Sequence, residues 1–133
     1  MLAVAVTGND FVAVGQNGHD DGALAWTSPD GLVWTAAPDQ PAFHYAQMPV
    51  RMQSVVAGSS GLVAGGWRSD AGNGSAVAWT SADGVTWQGP VWDTSFSGGQ
   101  ITGLAVSGGA VVAVGRSGYP DNNQAAIWLS AAP

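Results

Sequence analysis

Short apolar runs separated by glycine- and asparagine-rich breaks fill this chain, and they return in the same order three times. Val12-Ala13-Val14-Gly15, Val63-Ala64-Gly65-Gly66 and Val112-Ala113-Val114-Gly115 stand about 50 residues apart, a period that signals a repeat architecture. A second run with a central tryptophan follows each one: Ala25-Trp26-Thr27-Ser28, Ala78-Trp79-Thr80-Ser81 and Ile127-Trp128-Leu129-Ser130. Each unit therefore reads as strands a, b, c and d. The first unit predicts them at 2–6, 11–15, 23–28 and 32–36, and the second at 53–57, 62–66, 76–81 and 85–88. The third offers a, b and c at 102–106, 111–115 and 125–130, and stops before d. Tight links such as Gly8-Asn9-Asp10 join a to b, and an Asp-Gly turn joins c to d, so the units are antiparallel meanders.

Strands a and b are continuous apolar runs rather than alternating ones, which predicts sheets covered on both faces. No stretch has the 3.6-residue periodicity of a covering helix, so the sheets must cover one another. Radial stacking of sheets around an axis, a β-propeller, meets this condition and uses the repeat. The units would be blades at 1–38, 53–89 and 101–130 of a single all-β domain. A β-sandwich is the alternative, although it would show polar alternation on its outer faces and has no need of a 50-residue period.

Two stretches carry a family resemblance. Ser28-Pro29-Asp30-Gly31-Leu32-Val33-Trp34 and Ser81-Ala82-Asp83-Gly84-Val85-Thr86-Trp87 resemble the Asp-box, or bacterial neuraminidase repeat, of sialidase-like propellers, written S-x-D-x-G-x-x-W. Both lack one residue between Asp and Gly, so the match is to a shortened variant. The resemblance implies structural c–d hairpins, with Ser28, Asp30, Gly31 and Trp34 in one and Ser81, Asp83, Gly84 and Trp87 in the other. Asp before Gly suits a turn in any case, and a buried Trp contributes on the order of 2–3 kcal/mol.

Composition narrows the function. Three basic against nine acidic residues give a net charge of −6, the opposite of a phosphate-binding stripe, so nucleic acid is not an expected partner. The chain has no Lys and no Glu, and its acids are all Asp. Without cysteine there is no disulfide framework and no thiolate metal site, and the compartment stays open. No apolar run approaches the ~18 residues of a membrane span, and Met1 to Val6 is not a signal peptide, which predicts a soluble chain.

The b–c and d–a links, at 16–22, 67–75, 116–124, 37–52 and 89–100, are longer than the others and share one face, where function is expected. All three arginines, Arg51, Arg68 and Arg116, fall there, with Trp67, Trp92, Tyr45 and Tyr119 as candidate ligand-binding aromatics. The leading expectation is a non-catalytic binding module for a glycan or protein. Three arginines also suit a sialidase-type hydrolase, but the glutamate that assists that family's tyrosine nucleophile is absent. Glycoside hydrolysis in general needs two carboxylates at a set separation. A structural fragment without activity of its own is the third reading. The Asp/Asn-rich b–c links follow no EF-hand pattern, and His19 and His44 lack a third ligand, so neither a metal nor another cofactor is expected.

Three blades do not close a ring, because propellers have about four to eight. The expected remedies are a homodimer completing six blades or the remainder of a longer chain.

Overall fold

A computed structural model describes residues 1–18, 21–71, 73–118, 121 and 123–131, with Asp70 and Ala131 described by backbone alone. It is all-β. Sheet 1 holds β1 (Ala3–Thr7), β2 (Asp10–Gln16), β3 (Ala23–Ser28) and β4 (Thr35–Ala36), paired in that order. Sheet 2 holds β5 (Val50–Gly58), β6 (Gly61–Asp70), β7 (Asn73–Ser81) and β8 (Trp87–Val91), again in order. Sheet 3 holds β9 (Gln100–Ser107), β10 (Ala110–Ser117) and β11 (Gln124–Ala131). All pairings are antiparallel, and the sheets are the blades of a partial propeller. Among the described residues there is no α-helix, and so none long and apolar enough to cross a membrane.

Two expectations about the elements are corrected. Strand d of the first unit is not 32–36 but the two-residue β4, because the backbone N–H groups of Leu32 and Val33 turn back to Asp30 and cannot join a ladder. Leu32 is consequently 85% exposed. In the second unit 67–75 is not a long link: β6 and β7 run on to Asp70 and Asn73, placing Trp67 and Arg68 on a strand. Arg116 is likewise on β10.

The strand register sorts residues onto two faces, since paired residues share a side of the pleat. In sheet 1, Ala5–Val12–Thr27 and Ala3–Val14–Ala25 line the front face, and Val4–Ala13–Trp26 the back. The front packs on the back of sheet 2, where Met52, Val55, Leu62, Ala64, Val77 and Trp79 complete one buried cluster with Val12, Val14 and Ala25. Sheet 2 repeats the arrangement with sheet 3: Ala76 on its front meets Ile101, Ala113, Leu104 and Trp128. Hence β6 is buried on both faces. β1 is not: it alternates half-buried and exposed residues, because no sheet lies behind it.

Each interface carries the same hydrogen bond. The link from sheet 1 to sheet 2 forms a 3₁₀ turn at Pro41–Phe43, and Trp79 Nε1 donates to the Ala42 carbonyl at 2.8 Å. The next link forms one at Thr94–Phe96, and Trp128 Nε1 donates to the Ser95 carbonyl at 3.2 Å, with the Phe96 and Trp128 rings edge to face. A bulge opens β5 between Met52 and Ser54, and another interrupts the pairing of β9 with β10 beside Gly115. The bulged backbone presses on the neighbouring strand: a Cβ at Gly66 would run into the Arg51 carbonyl, and one at Gly115 into the Gln100 carbonyl. That explains why the second and third of the repeated apolar runs end in glycine.

Trp79→Phe keeps an aromatic ring but leaves the Ala42 carbonyl unsatisfied in the interior, and should lower unfolding stability by about 1–3 kcal/mol. Trp128→Phe, at a half-exposed site, should cost less. Urea denaturation of the two variants measures the difference, and equal losses would contradict the role assigned to burial.

Candidate functional site

The glycine-rich turns and the long links occupy opposite ends of the sheets. At the turn end, Ser28 Oγ accepts from the Gly31 N–H at 2.8 Å, and Asp30 Oδ1 accepts from Leu32 and Val33 N–H at 2.8 and 2.9 Å. Trp34 Nε1 donates to the Gly31 carbonyl at 3.1 Å. The second copy closes identically: Ser81 Oγ takes Gly84 N–H at 2.9 Å, Asp83 Oδ1 takes Val85 and Thr86 N–H at 2.8 Å each, and Trp87 Nε1 reaches the Gly84 carbonyl at 3.0 Å. Gly31 and Gly84 have φ of 75° and 77°, the left-handed conformation that favours glycine. These backbone donors hold the Asp30 and Asp83 carboxyls below the ordinary aspartate range.

One residue of this region carried no signal in the sequence. Gln40, in the first link, donates from Nε2 to the Val85 carbonyl at 2.9 Å and accepts the Trp87 N–H on Oε1 at 2.8 Å, so the link grips the turn of the next sheet. A polar residue between two prolines in a connecting segment looks like ordinary loop composition.

At the link end the structure gathers five of the candidate residues into two groups. Arg68 is only 5% exposed, and its guanidinium lies 4.0 Å from the Tyr45 ring centroid and 5.0 Å from that of Trp92. Arg51 lies 5.0 Å over Trp67, its direct partner across β5 and β6. Cations over aromatic faces are stabilised by the ring quadrupole, the more so when water is excluded. The Arg51 Nε is buried without a hydrogen-bond partner among the described residues. Arg116 has different company: its Nε donates to Gln100 Oε1 at 3.0 Å, and Gln100 Nε2 donates to Gln53 Oε1, linking sheet 3 to sheet 2. The three arginines thus engage separate partners. Tyr119, with His19 and Asp20, lies outside the described residues.

Tyr45 is held by a tight turn. Met48 N–H donates to its carbonyl at 2.7 Å, and the two central residues, Ala46 and Gln47, have φ of 44° and 61°. A left-handed conformation at two non-glycine residues is strained, and such strain collects where a loop must present a side chain. Gly22, His44, Tyr45, Gln47 and Met48 line an open groove of about 370 Å³ beside the Arg68 group. His44 Nε2 meets Asp39 Oδ1 at 2.6 Å at its rim. Asp93 caps the second 3₁₀ turn by accepting the Ser95 N–H at 2.8 Å, which lowers its pKa too. Among the described residues no three His, Asp, Glu or Cys side chains gather as metal ligands would.

No protein-family model matches this chain, and no curated protein matches it. Among solved structures it is similar to a GH32 beta-fructofuranosidase of Bombyx mori, at 14% identity and a TM-score of 0.57, over 96% of this chain and 33% of that one. A mutant of the same enzyme in complex with sucrose gives 13% identity and a TM-score of 0.54 over the same shares. The chain spans about a third of the length of these proteins. The likeness is one of fold, that of a β-propeller. The sialidase resemblance rests on the two turns alone.

Because the folded pKa values of Asp30 and Asp83 are depressed, the ionised turns contribute stability above the unfolded value of about 3.9 and lose it as pH falls through the folded values. Urea midpoints followed from about pH 6 to about pH 2 should fall more steeply for the native chain than for the Asp30→Asn, Asp83→Asn double variant. Parallel curves would remove the carboxylates from the account of acid stability.

Proposed function

We propose that this chain is a non-catalytic carbohydrate-binding segment of a β-propeller, taking ligand on the link end at the groove beside Tyr45, Arg68 and Trp92. One observation carries the reading: a largely buried arginine lies against the ring of Tyr45, which lines an open groove, and 5.0 Å from the ring of Trp92, which is 43% exposed. A sugar has apolar ring faces and a polar edge. Exposed aromatic surface suits the former, and the His44–Asp39 pair with neighbouring backbone groups suits the latter. A neutral glycan fits better than an acidic one, because the Arg51 and Arg68 guanidiniums are already engaged by rings and the chain is net negative.

The turns at Ser28–Trp34 and Ser81–Trp87 belong to this reading as shortened Asp-boxes with a structural role. The hydrolase alternative draws support from the GH32 likeness and from the arginines, yet its chemistry has little to work with. A glycosidase acid needs a carboxyl whose pKa is raised. Every aspartate shift resolved among the described residues is downward, and the carboxylates of Asp30, Asp83 and Asp93 are bound to backbone N–H groups.

Titration of tryptophan fluorescence with a panel of neutral oligosaccharides tests the proposal. Saturable binding is expected for at least one of them, weakened about tenfold or more by Trp92→Ala, the loss of one stacking contact. Trp92→Ala should lower unfolding stability only modestly, by about 1 kcal/mol through the lost contact with Arg68, and leave the protein folded under the assay conditions. Binding indifferent to Trp92→Ala, or no binding of any glycan by the folded protein, would overturn it.

A further inference from the structure

We propose that the cleft between sheets 1 and 2 at the turn end is a second binding site, one that takes a lysine side chain of a partner protein. Asp10, Thr27, Ser28 and Pro29 of sheet 1 and Asp83 and Val85 of sheet 2 line it, around a volume of about 270 Å³. Both walls come from sheets that pack on each other within the chain, so the cleft does not depend on what covers the outer faces of sheets 1 and 3. It is open to solvent, with the apolar side chains of Pro29 and Val85 exposed beside two carboxylates.

Both carboxylates have oxygen to offer. Asp83 serves its own turn through Oδ1 alone, which accepts from Val85 N–H, Thr86 N–H and Ser81 Oγ, and its Oδ2 has no hydrogen-bond partner among the described residues. The turn donors hold it ionised. Asp10 is exposed, and its side chain makes no hydrogen bond or ion pair among the described residues. Nor does the fold ask for an acid there. The first hairpin of each sheet closes on one pair, Thr7 with Asp10, Gly58 with Gly61 and Ser107 with Ala110, so the position also takes glycine or alanine. The corresponding cleft along sheet 2, lined by Gly61, Thr80, Ser81, Ala82 and Asp83 among others, has a similar volume of about 280 Å³ but a single carboxylate. Asp10 is what distinguishes the first cleft from the second.

Charge complementarity names the occupant. The chain has no lysine, its three arginines stand on β5, β6 and β10 at the link end, and no cationic side chain lines this cleft. A lysine joins an apolar four-carbon stem to a compact positive charge. The stem suits Pro29 and Val85, and the ammonium suits the carboxylates of Asp10 and Asp83. A divalent metal fits less well, since calcium takes six to eight oxygen ligands and no third carboxylate joins these two among the described residues. The opening to solvent leaves room for the segment that carries the lysine.

NMR titration of the whole chain with a capped pentapeptide, one lysine flanked by valines, tests this. The amide signals of Asp10, Asp83 and Val85 should shift together, with a dissociation constant of about 0.1–1 mM for one side chain in an open cleft. The same peptide with acetyl-lysine in that place should bind about tenfold more weakly, having lost the charge. Asp10→Asn should weaken the lysine peptide about fivefold or more. Its side chain braces nothing, so circular dichroism should stay native. Asp121→Asn removes the same charge from a link and should leave affinity within about twofold, because exposed charges beyond a Debye length are screened. Calcium chloride should leave the three signals in place. Absence of shifts at Asp10 and Asp83 overturns the proposal, as does equal binding of the acetyl-lysine peptide. So does a loss from Asp121→Asn as large as that from Asp10→Asn, which would reduce the effect to net charge. Shifts with calcium at lower concentrations than with the peptide would make the cleft a metal site instead.

Discussion

Everything else in this molecule is arranged around the indole-to-carbonyl bond that ties each sheet to the link arriving from the one before it. Trp79 and Trp128 sit on the third strand of their sheets, and the carbonyls of Ala42 and Ser95 come to them on 3₁₀ turns. The bond fixes where the link crosses, and so where the link residues on either side of it land. Three residues after Ala42 comes Tyr45, delivered to the Arg68 guanidinium, and Gln40 just before it grips the turn of sheet 2. The candidate site is therefore a consequence of blade docking and has no separate framework.

The two ends of the sheets use their charges differently. At the turn end, Asp30 and Asp83 satisfy backbone N–H groups that would otherwise point into an uncompensated turn. At the link end, Arg51 and Arg68 lie on aromatic rings and Arg116 is bound to Gln100. A carboxylate held ionised by donors cannot deliver a proton at neutral pH, and a guanidinium already seated on a ring is poorly placed to clamp a substrate acid. The same end carries the exposed part of Trp92 and the groove that Tyr45 lines.

Stability is distributed unevenly for the same reason. Sheet 2 has neighbours on both sides, and its Trp79, Met52, Leu62 and Val77 are among the most deeply buried side chains. Sheets 1 and 3 each have one apolar face packed and one in water. With about 25 cal/mol gained per Å² of apolar surface removed from solvent, the middle blade is the anchor and the outer ones depend on what covers them.

Local signals in the chain were enough to specify the repeat, the number of sheets, their meander topology, the c–d turns and the need for sheets to cover one another. Apolar strand runs, Asp-Gly turns and tryptophans at a fixed position can be read without knowing any neighbour in space. Strand direction alone also brings Arg51, Arg68, Trp67, Trp92 and Tyr45 to one end of the molecule. How those residues pair, that 67–75 is a strand hairpin, that Leu32 and Val33 leave the ladder and that Gln40 clamps the next sheet emerged only on folding. Most of these depend on which side chain arrives from a different sheet, and contacts between residues some 40 positions apart leave no periodic trace in the chain that makes them.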